Sequence, residues 1–284
     1  GPDLRYRYVN RKVASIFGTS PEQIVGKRDA DFFDRQTADN LHQNDTKVLK
    51  DKIRLTTEEV NRNLGSHTEQ VYLSVKLPLL DQSGQAYALC GISTDVTEQR
   101  QAAEEIHRLA YFDPLTQLPN RRALIDRMER EMAVAKRSEC NGALVFIDLD
   151  HFKEVNDLMG HAAGDELLRT VANRLGSTLR STDTLARIGG DEFVLLLSNL
   201  DSDRNQAADQ ALTTARKLKA CFAQPVPLGE RQHSVTASMG IALFSDAESE
   251  PDNLLRWADM AMYAAKDSGR NSIRFFNADM QTRA

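Results

Sequence analysis

Thr184-Leu-Ala-Arg-Ile-Gly-Gly-Asp-Glu-Phe-Val-Leu-Leu-Leu-Ser198 decides the fold of the larger part of this chain. Apolar, β-favouring runs flank Gly189-Gly190-Asp191-Glu192, which predicts strands over about 183–188 and 193–198 joined as a hairpin. The two glycines permit positive φ and let a phosphate approach the backbone closely. The two carboxylates at the tip repel each other unless a cation lies between them. Alone, these four residues read by default as a solvated hairpin turn.

Outward from the hairpin, Ala143–Leu149 is an almost continuous apolar run and predicts a buried central strand. Phe146-Ile-Asp-Leu-Asp150 ends that strand in two acids, and alternation puts Asp148 and Asp150 on one face. If the strand lies beside the hairpin, Asp148 approaches Asp191. Hard oxygen ligands from separate strands suit Mg²⁺, which keeps open positions for phosphate oxygens. Paired metals are a known solution for in-line displacement at phosphorus. Helices near 163–178, 205–222 and 251–267, with strands over 234–244 and 272–275, complete a β-α-β-β-α-β order. That order predicts an antiparallel-centred sheet of ferredoxin-like type.

Two further stretches carry polar groups with possible chemistry. Within His151–Asp165, Asn156 and Asp165 suit the reading of a base. Guanine offers two adjacent N–H donors to a carboxylate, which only accepts, and adenine lacks that pair. The plain alternative is an Asn and an Asp in a polar loop. Within Ala258–Asn271, Lys266 stands at a helix end and Arg270 just past Gly269. Both suit β- and γ-phosphates, or simply complement a helix C-terminus before a glycine stop.

The N-terminal third reads as α+β. Arg5–Val9 alternates like a strand, Asn10–Phe17 reads as a helix ending at Gly18, and Ser20-Pro21 opens another. Thr68–Leu80 and Ala86–Ser93 read as an antiparallel pair around the turn Asp81–Gly84. Residues 98–111 lack Gly and Pro and space Ala102, Ile106 and Leu109 like a short coiled-coil seam. A lone amphipathic linker helix is the simpler reading of the same pattern.

Composition bounds these readings. A chain of 284 residues suits two domains, and 41% hydrophobic with 27% charged residues describes a soluble globular protein with a sizeable core. A net charge of −5 excludes the broad positive field that a nucleic-acid polymer requires. Cys90, Cys140 and Cys221 are too few and too widely spaced for a disulfide framework or a zinc site, and suit a reducing cytoplasm. No run approaches the ~20 apolar residues of a membrane span, so no membrane contact is expected of this stretch, and no signal peptide is visible. Gly1-Pro2 reads as a cleavage scar, so the expectation is an excised fragment whose full-length form has room for a membrane anchor.

Asp113-Pro-Leu-Thr-Gln-Leu-Pro-Asn-Arg-Arg122, the Asp148–Asp165 block, Gly189–Phe193 and Lys266–Asn271 stand in the order of a GGDEF domain, and the second half resembles a diguanylate cyclase. Gln117 departs from it, where that family usually has Gly. Tyr8-Val-Asn10, Phe17-Gly18, Ile24–Lys27, the late hairpin and Asp95-Val-Thr-Glu98 resemble, in their order, a PAS sensor domain whose first strand is missing or truncated. The resemblance implies a PAS domain over 1–97, a linker helix or coiled coil over 98–111 and a GGDEF domain over 112–284. The fold class expected is a two-domain α+β chain, with a PAS-like antiparallel sheet and a ferredoxin-like, palm-type α/β domain.

The same resemblance implies condensation of two GTP into cyclic di-GMP and two pyrophosphates by a homodimer with Mg²⁺, or Mn²⁺ in its place. Asp148, Asp191 and the carbonyl of Leu149 become metal ligands, and Glu192 completes the acidic tip. Asp191 or Glu192 helps deprotonate the attacking hydroxyl. Asn156 and Asp165 become guanine readers. Lys153, Lys266, Arg270, the amide of Phe152 and the glycines Gly189 and Gly190 become phosphate contacts. Arg180-Ser-Thr-Asp183 resembles the family's product-inhibition site for cyclic di-GMP, although a surface ion pair fits the bare pattern. A GGDEF module that binds GTP or cyclic di-GMP and regulates an adjacent EAL phosphodiesterase domain is the rival, since Phe276–Gln281 resembles the junction to such a domain. A second rival makes the fragment chiefly a PAS sensor or dimeriser. The PAS ligand is not legible. Cys90 is expected in the core, and His42 and His67 are expected at the surface rather than on a haem.

Overall fold

The computed structural model describes residues 2–64, 68–229, 231–245, 250–277 and 280. His67 and half of the 276–281 junction (278, 279 and 281) therefore lie outside the described residues. The chain divides into two units, Gly1–Ile106 and His107–Ala284.

Short polar side chains start the first helices by satisfying amides that no turn of helix can reach. Asn10 accepts from the Val13 amide at 2.9 Å and opens α1 (Arg11–Ile16). Pro21 takes the first position of α2 (Pro21–Ile24). Asp34 accepts from the Thr37 amide at 2.8 Å and opens α3 (Arg35–Asp51). An antiparallel sheet follows, in the order β1 (Leu55–Asn61), β2 (Gln70–Leu80), β3 (Ala86–Asp95). Arg5–Val9 is not a strand; Tyr6 instead exchanges backbone hydrogen bonds with Gly26 and Lys27 across a loop. Cys90 is exposed on β3 rather than in the core.

Neither α3 nor β1 was legible: polar residues outnumber the apolar ones along α3, and β1 buries the polar Glu59 and Asn61. Glu59, Ser74 and Lys76 point inward. Lys76 Nζ lies 2.6 Å from Asp45 and 2.8 Å from Glu59, which also accepts from Asn44 at 2.9 Å. Phe17 and Phe32 stack beside this polar interior at 4.3 Å. The carboxylate of Asp95 then accepts from the Thr97 amide at 3.0 Å, and α4 (Thr97–Tyr111) begins. No residue of α4 is buried, and Ile106 and Leu109 are 68% and 53% exposed.

The second unit opens with α5 (Arg121–Ser138), which sequence periodicity left unmarked. The apolar run becomes β4 (Asn141–Leu149), buried at every position. Then come α6 (Phe152–Met159), α7 (His161–Thr178), β5 (Thr184–Gly189) and β6 (Glu192–Leu200). After α8 (Arg204–Ala220), β7 (Val226–Leu228) and β8 (Arg231–His233) form a separate two-stranded sheet. The last elements are β9 (Ala237–Phe244), α9 (Pro251–Asp267) and β10 (Ile273–Phe275). The main sheet runs β10-β9-β4-β6-β5, antiparallel except for the parallel β10–β9 pair.

Alternation along β4 feeds two cores. Val145 and Ile147 pack with Leu167, Leu175, Ala211 and Leu218 of α7 and α8. Leu144 and Phe146 pack with Leu124, Met128, Leu254 and Met262 of α5 and α9. This is the ferredoxin-like sheet that the element order predicts, with α9 held on the second face. Gly240 on β9 permits that contact: a Cβ there would lie 2.1 Å from the Ala258 carbonyl and the Met262 amide.

Candidate active site

Register brings the acids together. Asp148 is the Cα partner of Glu192 across β4–β6, and the Leu149 amide donates to the Asp191 carbonyl at 3.4 Å. Asp148 is buried, whereas Asp191 and Glu192 are half-buried at the tip between the strands. From α9, Lys266 Nζ reaches Asp148 Oδ2 at 2.7 Å. Burial pushes the Asp148 carboxyl up, Lys266 opposes it, and the nearby Asp191 and Asp150 push it further. Glu192 is raised in the same way, by burial first and then by Asp148, Asp259 and Asp191. Asp259, one helical face along α9 from Lys266, is itself raised by burial. One ammonium thus faces an excess of carboxylates, and a hard divalent cation would relieve that excess.

The tip is held from behind. Arg187 places one guanidinium nitrogen 2.9 Å from both oxygens of Asp113, and its other nitrogens donate to the Gly190 carbonyl at 2.9 and 2.7 Å. Burial works against the Asp113 carboxylate, but Thr116 and Arg187 outweigh it and hold its pKa low. Gly190 has φ +48°, and a Cβ at Gly189 or Gly190 would meet nothing within 4 Å, so the backbone there is open to a ligand.

Gln117, in the opening turn, has φ +59°, which explains the advantage of Gly at that position. Its side chain compensates by donating to the Pro114 carbonyl at 2.8 Å and accepting from Arg108 at 3.1 Å.

Asn156 on α6 lies against the first turn of α7. A Cβ on Gly164 would sit 2.0 Å from Asn156 Oδ1, so this glycine makes room for that amide beside Asp165. Phe152 lines the same contact, and Lys153 is exposed on the first turn of α6. Arg270 lies past α9, exposed, with φ +60°. Arg180 and Asp183 do not form a side-chain ion pair among the described residues. The Asp183 carboxylate instead accepts from the Arg180 amide at 3.1 Å, leaving the guanidinium outward.

Among the described residues, no three His, Cys, Asp or Glu side chains converge as a ready-made metal cage. Two carboxylates with a backbone carbonyl, completed by water and phosphate oxygens, are nevertheless a donor set that suits Mg²⁺. Asp150 does not join them, because its carboxylate is engaged by Thr236, Ser238 and Asn271. The roles of Asp150, Gly164, Asp259 and the Asp113–Arg187 pair were missed in the sequence. All of them lie within the stretches quoted above, but the partners that give Asp150, Asp113 and Arg187 those roles are distant in the chain.

The family model described as "Diguanylate cyclase, GGDEF domain" matches residues 110–272. The chain belongs to the GGDEF diguanylate cyclase family. A model described as "PAS fold" matches residues 1–101 of this GGDEF chain. A diguanylate cyclase of Vibrio cholerae is 30% identical over 94% of this chain and 81% of its own length. The bifunctional diguanylate cyclase/cyclic di-GMP phosphodiesterase MucR of Pseudomonas aeruginosa is 43% identical over 66% of this chain. This chain spans 27% of the length of MucR and 28% of that of the signaling protein YkoW of Bacillus subtilis. Among solved structures, the GGDEF domain of TpbB (YfiN) from Pseudomonas aeruginosa matches at TM-score 0.57 and 38% identity. That match covers 61% of this chain and 98% of the YfiN domain. No helix among the described residues is long and apolar enough to cross a membrane.

Proposed function

We propose that this chain is a diguanylate cyclase that condenses two GTP into cyclic di-GMP and two pyrophosphates. The observation that carries this reading is the acidic tip at Asp191-Glu192, set opposite Asp148 with Lys266 at 2.7 Å. Asp148, Asp191 and the Leu149 carbonyl are assigned as holding Mg²⁺, or Mn²⁺ in its place. The cation supplies charge neutralisation for the triphosphate and the α-phosphoryl group. Asn156 and Asp165 read guanine. Phe152 (through its amide), Lys153, Gly189, Gly190, Lys266 and Arg270 hold phosphates. In each half-reaction the 3′-oxygen of one GTP bonds to the α-phosphorus of the other, the bond to pyrophosphate breaks, and Asp191 or Glu192 receives the hydroxyl proton.

One site holds one GTP, so two copies must face each other; alignment then supplies the effective molarity. The exposed Ile106 and Leu109 of α4 suit a homodimer seam. Residues 1–97 serve as a PAS sensor acting through the linker 98–111 on the catalytic part, 112–284. Arg180 and Asp183 bind cyclic di-GMP and inhibit. The reaction is that of a cytoplasmic enzyme.

Incubation with GTP and Mg²⁺ tests the proposal. Cyclic di-GMP should form, and Asp191→Asn should abolish it. GTP binding without turnover would instead favour a regulatory module beside a phosphodiesterase domain, the reading to which the likeness to bifunctional MucR lends support.

A further inference from the structure

The two acids that end β4 do different work. Asp150 is buried and fully engaged. Thr236 Oγ1 donates to its Oδ2 at 2.6 Å, Ser238 Oγ to its Oδ1 at 2.7 Å, and the Asn271 amide to Oδ2 at 3.0 Å. The carbonyl of the same Asn271 accepts from Lys219 Nζ on α8. Both poles of one residue are therefore gripped by polar side chains, from the end of β4 and from α8.

The gripped residue lies in an unusual backbone segment. Gly269, Arg270 and Asn271 have φ of +107°, +60° and +43°. Consecutive left-handed residues that are not glycine persist only where the surroundings over-determine them. Arg270 is also tied to the end of α9, its amide donating to the carbonyls of Ala265 and Lys266 at 3.2 Å. The grip on Asn271 therefore sets where the turn that carries Arg270 stands against the ends of β4 and α8.

We propose that Asp150 and Lys219 are positioning residues that clamp Asn271 and so hold Arg270, beside Lys266, for the polyphosphate of a purine nucleoside triphosphate. The inference rests on the reading above that Arg270 and Lys266 contact phosphate. Neither Asp150 nor Lys219 touches the nucleotide; they act through the backbone between them.

The test uses the full chain with the variants Asp150→Ala, Asp150→Asn, Lys219→Met, Arg270→Ala and the double variant Lys219→Met/Arg270→Ala. For each, KM and kcat with GTP are measured, together with hydrogen exchange at the Asn271 amide. Asp150→Ala and Lys219→Met should raise KM about tenfold, the worth of one hydrogen bond to a charged group, while kcat falls less. Asp150→Asn keeps an oxygen for Asn271 and should restore most of the loss.

Exchange at Asn271 should accelerate in Asp150→Ala and Lys219→Met. In the double variant, removing Arg270 should add little, since the cation is already misplaced. Additive losses, or wild-type KM and wild-type exchange in Lys219→Met, would overturn the clamp. Should Asp150→Ala not fold, Lys219→Met on the surface of α8 carries the test alone. Wild-type KM in Arg270→Ala with accelerated exchange in Lys219→Met would leave the clamp standing and overturn the phosphate assignment on which its purpose rests. A wild-type chain without turnover would overturn the cyclase reading, and affinity for a non-hydrolysable GTP analogue then replaces KM in the same comparison.

Discussion

Gly164 controls where Asn156 can stand. An added methyl would meet the Asn156 side chain at 2.0 Å, and because that amide ends a flexible side chain, it rather than the fold should yield. Gly164→Ala should therefore leave the melting temperature nearly unchanged. It should lower the preference for GTP over ATP about tenfold, the worth of one good hydrogen bond. Titration with both nucleotides checks this, and an unchanged ratio would remove Asn156 from base reading.

At this scale, the legible residues were those whose charge sits inside a compact motif: Asp148, Asp191, Glu192, Lys266. Asp150 was equally visible, but its role was not. Its partners Thr236, Ser238 and Asn271 lie 86, 88 and 121 positions away, and no local pattern announces them.

Elements were legible where apolar periodicity is strong. The readings of β4 and of the helix over 251–267 agree with the structure, whereas α3 and α5 went unread because polar residues dominate them. Backbone contact between α9 and β9 at Gly240 fixes the height of Lys266 over the sheet. Gly240→Ala would force a methyl against the Ala258 carbonyl and Met262 amide, neither of which can swing aside. The expected cost is about 1–3 kcal/mol, the range for overpacking, read as a lower melting temperature. The helix α4 supplies the opposite test, since none of its residues is fully buried within one chain. Replacing Ile106 and Leu109 with Asp should lower turnover while leaving GTP affinity intact. Wild-type turnover in that variant would take the linker out of the mechanism.

The molecule as a whole joins two units with different kinds of core. The second buries aliphatic side chains on both faces of its sheet. The first buries Lys76 between Asp45 and Glu59. Removing the ammonium with Lys76→Met leaves two carboxylates without it in a buried setting, at an expected cost of about 3 kcal/mol near neutral pH. The pH dependence has a definite sign. Burial holds the Asp45 carboxyl above its ordinary value of 3.8, although Lys76 opposes it. Its contribution to stability is thus full below that ordinary value and is lost as pH rises through the folded one. Without Lys76 the folded value rises further, so the penalty should shrink on acidification. Urea unfolding of the variant and the wild type at several pH values checks this, and a penalty that does not vary with pH would mean the carboxylates are not buried with their charge.

By itself the sequence determined the family, the strands of the main sheet in the second unit and the candidate acids and cations of the site. Apolar period and compact charged motifs are local properties, and they can be read along a chain. Only the tertiary structure decided that Asp150 braces a loop while Asp148 faces the tip, that a glycine admits α9 to β9, and that the first unit buries charge. Each of those depends on which distant group fills the space beside a side chain, and close packing settles that only once the chain is folded.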